Sequence, residues 1–222
     1  MMLAQKELFW QRGSLFFTAA GFWSKRALLK LLKKPEPRSE WLGRMVGKDG
    51  WQALFDRKGW QRTKVPGGKY LRTVSIAKEA LEIDKIVYAP LIKTHHAADF
   101  TGSIKLSMGF VKPFFDQITF HTRRLHEKLA ELGLVIKPSL IVMDARKVFI
   151  TRGPAKGELR EPNLILASGN QIAIDVEGLK ILQSYPGNSL ESKNLWRLQQ
   201  IKHSIELGLG PHNEKEYEVI MR

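Results

Sequence analysis

The feature that most constrains this chain is an alternation beyond residue 70 of short apolar runs with helix-like amphipathic segments. Ile86 to Ala89, Ser139 to Asp144 and Asn163 to Ala167 have the length and composition of buried strands. Tyr217 to Ile220 is expected to add a last, edge strand. Between them, Thr73 to Ile83 carries Val74, Ala77, Ala80 and Leu81 at helical spacing. Ile118 to Leu132 places Ile118, Leu125, Leu129 and Leu132 on one face, and Gly133 stops it. Gln171 to Leu182 and Leu190 to Leu207 are two further amphipathic helices, the latter closed by Gly208 and Gly210. Strands and helices that alternate in this way predict an α/β fold, a sheet flanked by helices.

At 222 residues and 43% hydrophobic, the chain can bury a substantial core in one domain with a smaller appendage. Pro66-Gly67-Gly68 is a turn or linker signal, and it divides the sequence into a basic, Trp-containing segment (1–69) and an α/β domain (70–222). The net charge of +14 is unevenly spread. Residues 1–75 hold 16 Lys and Arg against 5 Asp and Glu, so most of the excess lies there. Such asymmetry points to nucleic acid, an anionic membrane surface or an acidic partner, or else to a solvated basic face. With no cysteine, disulfides and thiolate catalysis are excluded. No apolar run approaches the length needed to span a bilayer, and a cytoplasmic location is expected.

Within residues 14–34, Ser24 is placed to cap a helix with Leu28, Leu31 and Leu32 on one side and Lys25, Lys30, Lys33 and Lys34 elsewhere. Pro35 and Pro37 end it. This segment either lies on a membrane surface or packs against its own domain. It makes a poor signal peptide, because a basic run follows its short apolar part. Trp41, Trp51 and Trp60, interleaved with Arg44, Lys48, Arg57, Lys58 and Arg62, either stack on nucleobases or fill a small core.

The densest chemistry follows the run Lys85 to Ala89. Lys93-Thr94-His95-His96 comes directly after it, then Thr101-Gly102-Ser103-Ile104-Lys105. Ligands in open α/β sheets bind outside the carboxyl ends of strands. Ammonium, hydroxyl and imidazole groups there can hold an anion, or can form a polar loop that faces water. Asp144, at another strand end, is a metal or ribose ligand, a base, or a cap on its own turn. Arg152 to Gly157 forms a loop whose amides can approach an anion, without the ending of a P-loop. Asp175, in an apolar helix, is expected to pair with a basic group such as Lys93 or Lys105. His126, His203 and His212 are expected on the surface. A metal site would have to be assembled in space from His95, His121 and Asp144, and no ligand spacing in the sequence calls for one.

These motifs resemble the domain of unknown function 362 family, through Pro90, Lys93, Thr94, His95, Thr101, Lys105 and Gly109, then His121, Leu140 to Asp144, Gly153-Pro154, Gly157, Leu164 to Ser168 and Ile172 to Asp175. The likeness covers roughly residues 64–222. Two departures stand out: Lys105 is followed by Leu106 where the family commonly has Asn, and the Lys-Pro-Asn motif of many members is missing, so residues 1–63 look divergent, replaced or truncated. Some members carry ferredoxin-type iron–sulfur modules, which implies a redox context and a redox partner by analogy. This chain has no thiolate with which to ligate such a cluster, and its cofactor, if any, is not specified by the sequence. Residues and resemblance together predict a small anionic ligand or organic acid, bound by Lys93, Thr94, His95, Lys105 and Asp144, with His121 and Gly153 at the rim.

Overall fold

The computed structural model describes residues 15–20, 59–112, 120 and 123–221, the first of these as backbone alone. Four strands form the main sheet in the order β1-β4-β7-β10, where β1 is Leu15–Ala20, β4 Lys85–Pro90, β7 Leu140–Ala145 and β10 Leu164–Ser168. The first three run parallel and β10 returns antiparallel to β7. β4 is buried from Ile86 to Pro90, on both faces, which is why its sequence is an apolar run without alternation. Its Tyr88 hydroxyl bonds Ser107 Oγ at 3.0 Å and its ring stacks on Phe110. The edge strand β10 keeps Leu164 and Ile165 exposed.

Trp60–Lys64 (β2) and Thr73–Ala77 (β3) form a separate antiparallel hairpin. Thr73–Ala77 was expected to begin a helix. The alternation of buried Val74 and Ile76 with partly exposed Thr73 and Ser75 selects a strand, and only Lys78–Glu82 (α1) is helical. Pro66-Gly67-Gly68 is a turn within this hairpin. Gly68 N–H donates to the Val65 carbonyl at 3.1 Å, and Gly67 takes φ +74°, as a Pro-Gly turn of type II requires. The proposed division after residue 69 therefore falls inside a connected hairpin, and both β1 and β2 contribute to sheets with strands beyond it. The readings of residues 21–58, with their Ser24-capped helix and Trp41 and Trp51, lie outside the described residues.

From β4 the chain enters a small hairpin, Lys93–His95 (β5) and Asp99–Thr101 (β6), then a helical turn, Ser103–Leu106 (α2). Leu125–Leu132 (α3) follows; the helix expected from Ile118 is interrupted at Arg124, which takes φ +57°, while Gly133 caps the end as expected. A further hairpin joins Val148–Phe149 (β8) to Leu159–Arg160 (β9). Gln171–Gln183 (α4) matches the predicted helix and is capped by Asn170, whose side chain accepts from the Ile172 and Ala173 amides. Gly178 lets α4 approach the sheet: a Cβ there would lie 2.7 Å from Met143 Sδ. The helix expected over Leu190 to Leu207 is only Gln199–Glu206 (α5), preceded by a 3-10 turn at Leu195–Arg197. The Asn194 side chain caps that turn and breaks the continuous pattern. Tyr217 to Ile220 forms no strand, and Val219 and Ile220 are exposed. It has no neighbouring backbone among the described residues with which to build a ladder.

His203 was expected on the surface but is buried on α5, where its Nε2 lies 3.2 Å from Glu131 Oε1. Glu131, on α3, is itself fully buried and accepts from the Lys69, Tyr70 and Leu71 amides, which fastens the β2–β3 turn to the helical layer. Glu131→Ala strands these donors together with the His203 ring. It is expected to cost about 3 kcal/mol or more of unfolding free energy, read from urea denaturation. A loss below about 0.5 kcal/mol would show that water replaces the carboxylate without penalty.

Candidate functional site at the carboxyl ends of β4 and β7

Parallel strands bring their carboxyl ends to one edge, and here that edge joins three distant segments. Leu91 bridges to Asp144 beyond the ends of the β4–β7 ladder, and Ile92 N–H donates to the Asp144 carbonyl at 3.2 Å. Thr94 then meets the loop after β8. Its buried hydroxyl donates to the Phe149 carbonyl at 3.1 Å and accepts from the Gly153 amide at 3.3 Å. The Gly153 carbonyl in turn accepts from the His96 amide at 3.1 Å. Gly153 has no room for a side chain, since a Cβ would run into the Thr94 carbonyl oxygen. Thr94 and Gly153 thus clamp two loops together, and the hydroxyl proton is committed to that clamp.

Lys93 and Thr101 face each other across the β5–β6 ladder, so their side chains share one face, and His95 lies two residues further along it. His95 is buried, and its Nδ1 accepts the Ala97 amide at 3.1 Å, which leaves the proton of a neutral ring on Nε2. Lys105 enters from α2. Both lysines are partly buried, and neither ammonium has a hydrogen-bond or ion-pair partner among the described residues. Burial lowers the pKa of Lys93. Burial first, and the neighbouring Lys93 charge second, lower that of Lys105.

The acids nearby are committed elsewhere, and Asp99, opposite His95 in the hairpin, pairs with Lys193. Asp144 is buried, but Arg146 claims it, with Nη2 on Oδ2 at 2.8 Å and Nε on Oδ1 at 3.1 Å. Its Oδ1 also accepts the Arg146 amide at 2.9 Å, so the carboxylate caps its own turn while its backbone borders the site. Asp175 does not pair with Lys93 or Lys105. It accepts the Ser103 and Ile104 amides at 2.6 and 3.0 Å and so caps α2 from the facing helix α4. A Cβ on Gly102 would sit 2.5 Å from its Oδ1. Burial in this position raises the Asp175 carboxyl to about 6, against the opposing pull of those amides.

Lys93 and His95 therefore share one face of the hairpin with Thr101, Thr94 turns from the opposite face to Gly153, Lys105 sits on α2, which follows β6, and the Asp144 side chain turns to Arg146. His121 lies outside the described residues, and so does any metal set that includes it. Among the described residues no trio of His, Asp or Glu is grouped to hold a metal ion. A narrow crevice between α2, α3 and α4 is lined by Ile104, Leu129, Gly133 and Gln171 and contains none of these candidates. Thr101, which the sequence places only in the segment leading to Lys105, is the cross-strand partner of Lys93. Its place opposite Lys93 follows from the hairpin register, which the sequence does not display.

The fold is α/β, a mixed sheet flanked by helices. The sequence profile of the family described as a domain of unknown function (DUF362) matches residues 43–180, more than half of the chain, and the chain belongs to that family. The match begins ahead of the Pro66-Gly67-Gly68 turn and includes β2. A thylakoid-associated protein of Synechocystis sp. is 29% identical over 132 residues, 54% of this chain and 41% of that protein. The chain thus spans well under half the length of this curated relative. No helix among the described residues is long and apolar enough to cross a membrane.

Two outcomes follow from this geometry. Gly153→Ala should destabilise the fold by about 2–3 kcal/mol in chemical denaturation, because backbone rather than a movable side chain blocks the added methyl. For Asp175, a carboxyl raised by folding is best accommodated protonated. Its contribution is therefore full below the unfolded value near 4 and declines as pH rises through about 6. The stability of the wild type relative to Asp175→Asn should accordingly fall by about 1–3 kcal/mol between pH 4 and 7, measured by denaturation at each pH. A flat difference would mean that the amides fully offset burial.

Proposed function

We propose that this protein binds a small anion or organic acid at the carboxyl edge of its sheet, against Lys93 and Lys105. One observation carries the reading: two partly buried lysines, Lys93 on β5 and Lys105 on α2, neither of whose ammonium groups has an ion-pair partner among the described residues. Withdrawing charge from water without a partner is costly, and an anion between the two would offset that cost. Arg146 neutralises Asp144, backbone amides occupy Asp175, and Lys193 pairs with Asp99, the acid opposite His95 in the hairpin, so each of these acids is engaged away from the lysines. His95 shares the hairpin face of Lys93, and the Thr94–Gly153 clamp fixes the hairpin from its other face. An enzymatic step on this ligand in a redox-linked pathway extends the reading, on the family analogy alone.

A second reading concerns the basic amino-terminal residues. The name of the Synechocystis relative supports attachment to a membrane surface, as does the concentration of Lys and Arg in residues 1–75. The chain would then reside in the cytoplasm, in part on an anionic bilayer surface. Deleting the segment is a poor test, because β1 lies in it and pairs with β4 over six residues. Gln substitutions at Lys25, Lys30, Lys33 and Lys34 are cleaner. They should abolish co-sedimentation with phosphatidylserine vesicles, which salt should also weaken. Equal binding to neutral vesicles would refute this reading, and preferential binding to duplex DNA would favour nucleic acid as the partner.

For the sheet-edge site, calorimetric titration with phosphate, acetate, succinate and citrate should show saturable binding by at least one anion. Lys105→Ala should weaken that binding by about 1.5–3 kcal/mol, the scale of a charge-assisted hydrogen bond. Absence of binding at millimolar concentrations, or an unchanged affinity in the variant, would overturn the proposal.

A further inference from the structure

Thr101 is 5% exposed, and its Oγ1 has no hydrogen-bond partner among the described residues. Most buried hydroxyls are paired, so an orphan signals a missing group. This one stands directly across the ladder from Lys93, with their Cβ atoms about 5 Å apart by the geometry of antiparallel pairs. Gly102 and the α2 turn then carry the chain to Lys105. Three donors thus arise from three elements: Lys93 on β5, Thr101 on β6 and Lys105 on α2.

We propose that the ligand of this site is a phosphoryl group, free or as a monoester, and that Thr101 is its third donor. The inference rests on the anion-binding reading above and names its chemistry. A carboxylate carries one charge on two coplanar oxygens and is best met by the planar fork of arginine, whereas the described donors are two ammonium groups and a hydroxyl. A phosphoryl group near neutral pH carries up to two charges on oxygens that diverge tetrahedrally. Two point cations neutralise that charge, and donors from separate elements suit its divergent oxygens. The amides that open α2 take no part, because Asp175 already occupies those of Ser103 and Ile104. That carboxylate is satisfied by backbone and forms no ion pair with either lysine among the described contacts.

The test uses the full chain, titrated with inorganic phosphate, methyl phosphate, acetate and succinate. Phosphate and methyl phosphate should bind at least about tenfold more tightly than either carboxylate. Thr101→Val keeps the side-chain shape and removes the hydroxyl, so it should weaken phosphate binding by about five- to thirtyfold, the scale of one hydrogen bond. Without ligand the same variant should melt no lower than the wild type, because it removes an unsatisfied polar atom. Should it fail to fold, Thr101→Ala and Thr101→Ser provide the comparison, with only the serine retaining affinity. Tighter binding of succinate, or an unchanged phosphate affinity in Thr101→Val, overturns the phosphoryl assignment and leaves the anion-binding reading intact. If none of the four anions binds, both fall.

Discussion

The contact on which the lysine arrangement depends is the one between the Asp175 carboxylate and the amides of Ser103 and Ile104. It crosses from α4, which packs against the sheet, to α2, which carries Lys105. A helical turn of four residues is too short to hold itself, and no residue of its own caps it. The buried carboxylate supplies the missing acceptor, and Gly102 leaves room for it. Gln171 adds a second tie, its Nε2 donating to the Ser103 carbonyl at 2.9 Å. Lys105 is positioned by a helix that a different helix holds in place.

The same device recurs at Glu131, which accepts three consecutive amides of the β2–β3 turn and faces His203. In both places backbone N–H groups supply most of the donors to a buried acid. Peptide amides are fixed donors that need no further desolvation of a full charge, so they stabilise a buried carboxylate with less cost than an ion pair. The consequence for function is an imbalance. Asp144 and Asp175 serve construction and Asp99 pairs with Lys193, while neither Lys93 nor Lys105 has an ion-pair partner among the described residues.

Much of the framework was legible because periodicity is a local property. The buried run of β4, the β7 and β10 strands and the whole of α4 follow from apolar spacing within a few residues. Thr73 to Ala77 misled because its apolar positions fit both a short strand and a helix, and pairing with β2 decided between them. Tyr217 to Ile220 misled in the opposite direction. A strand-like composition does not make a strand without a neighbour to bond.

For the site, the sequence by itself determined which chemistry is present: lysines, threonines and histidines after β4, and no thiolate. It also determined that these residues follow a strand end. Tertiary structure decided how they are used. It turned Asp144 toward Arg146, Asp175 toward backbone and Thr94 toward a loop clamp, and it set Thr101 across from Lys93 with a hydroxyl that has no partner among the described residues. Sequence patterns report which residues can ionise or bond. Which of them remain available depends on partners many residues away, such as Ser103 and Asp175 at 72 positions apart, and those partners exist only once the chain has folded.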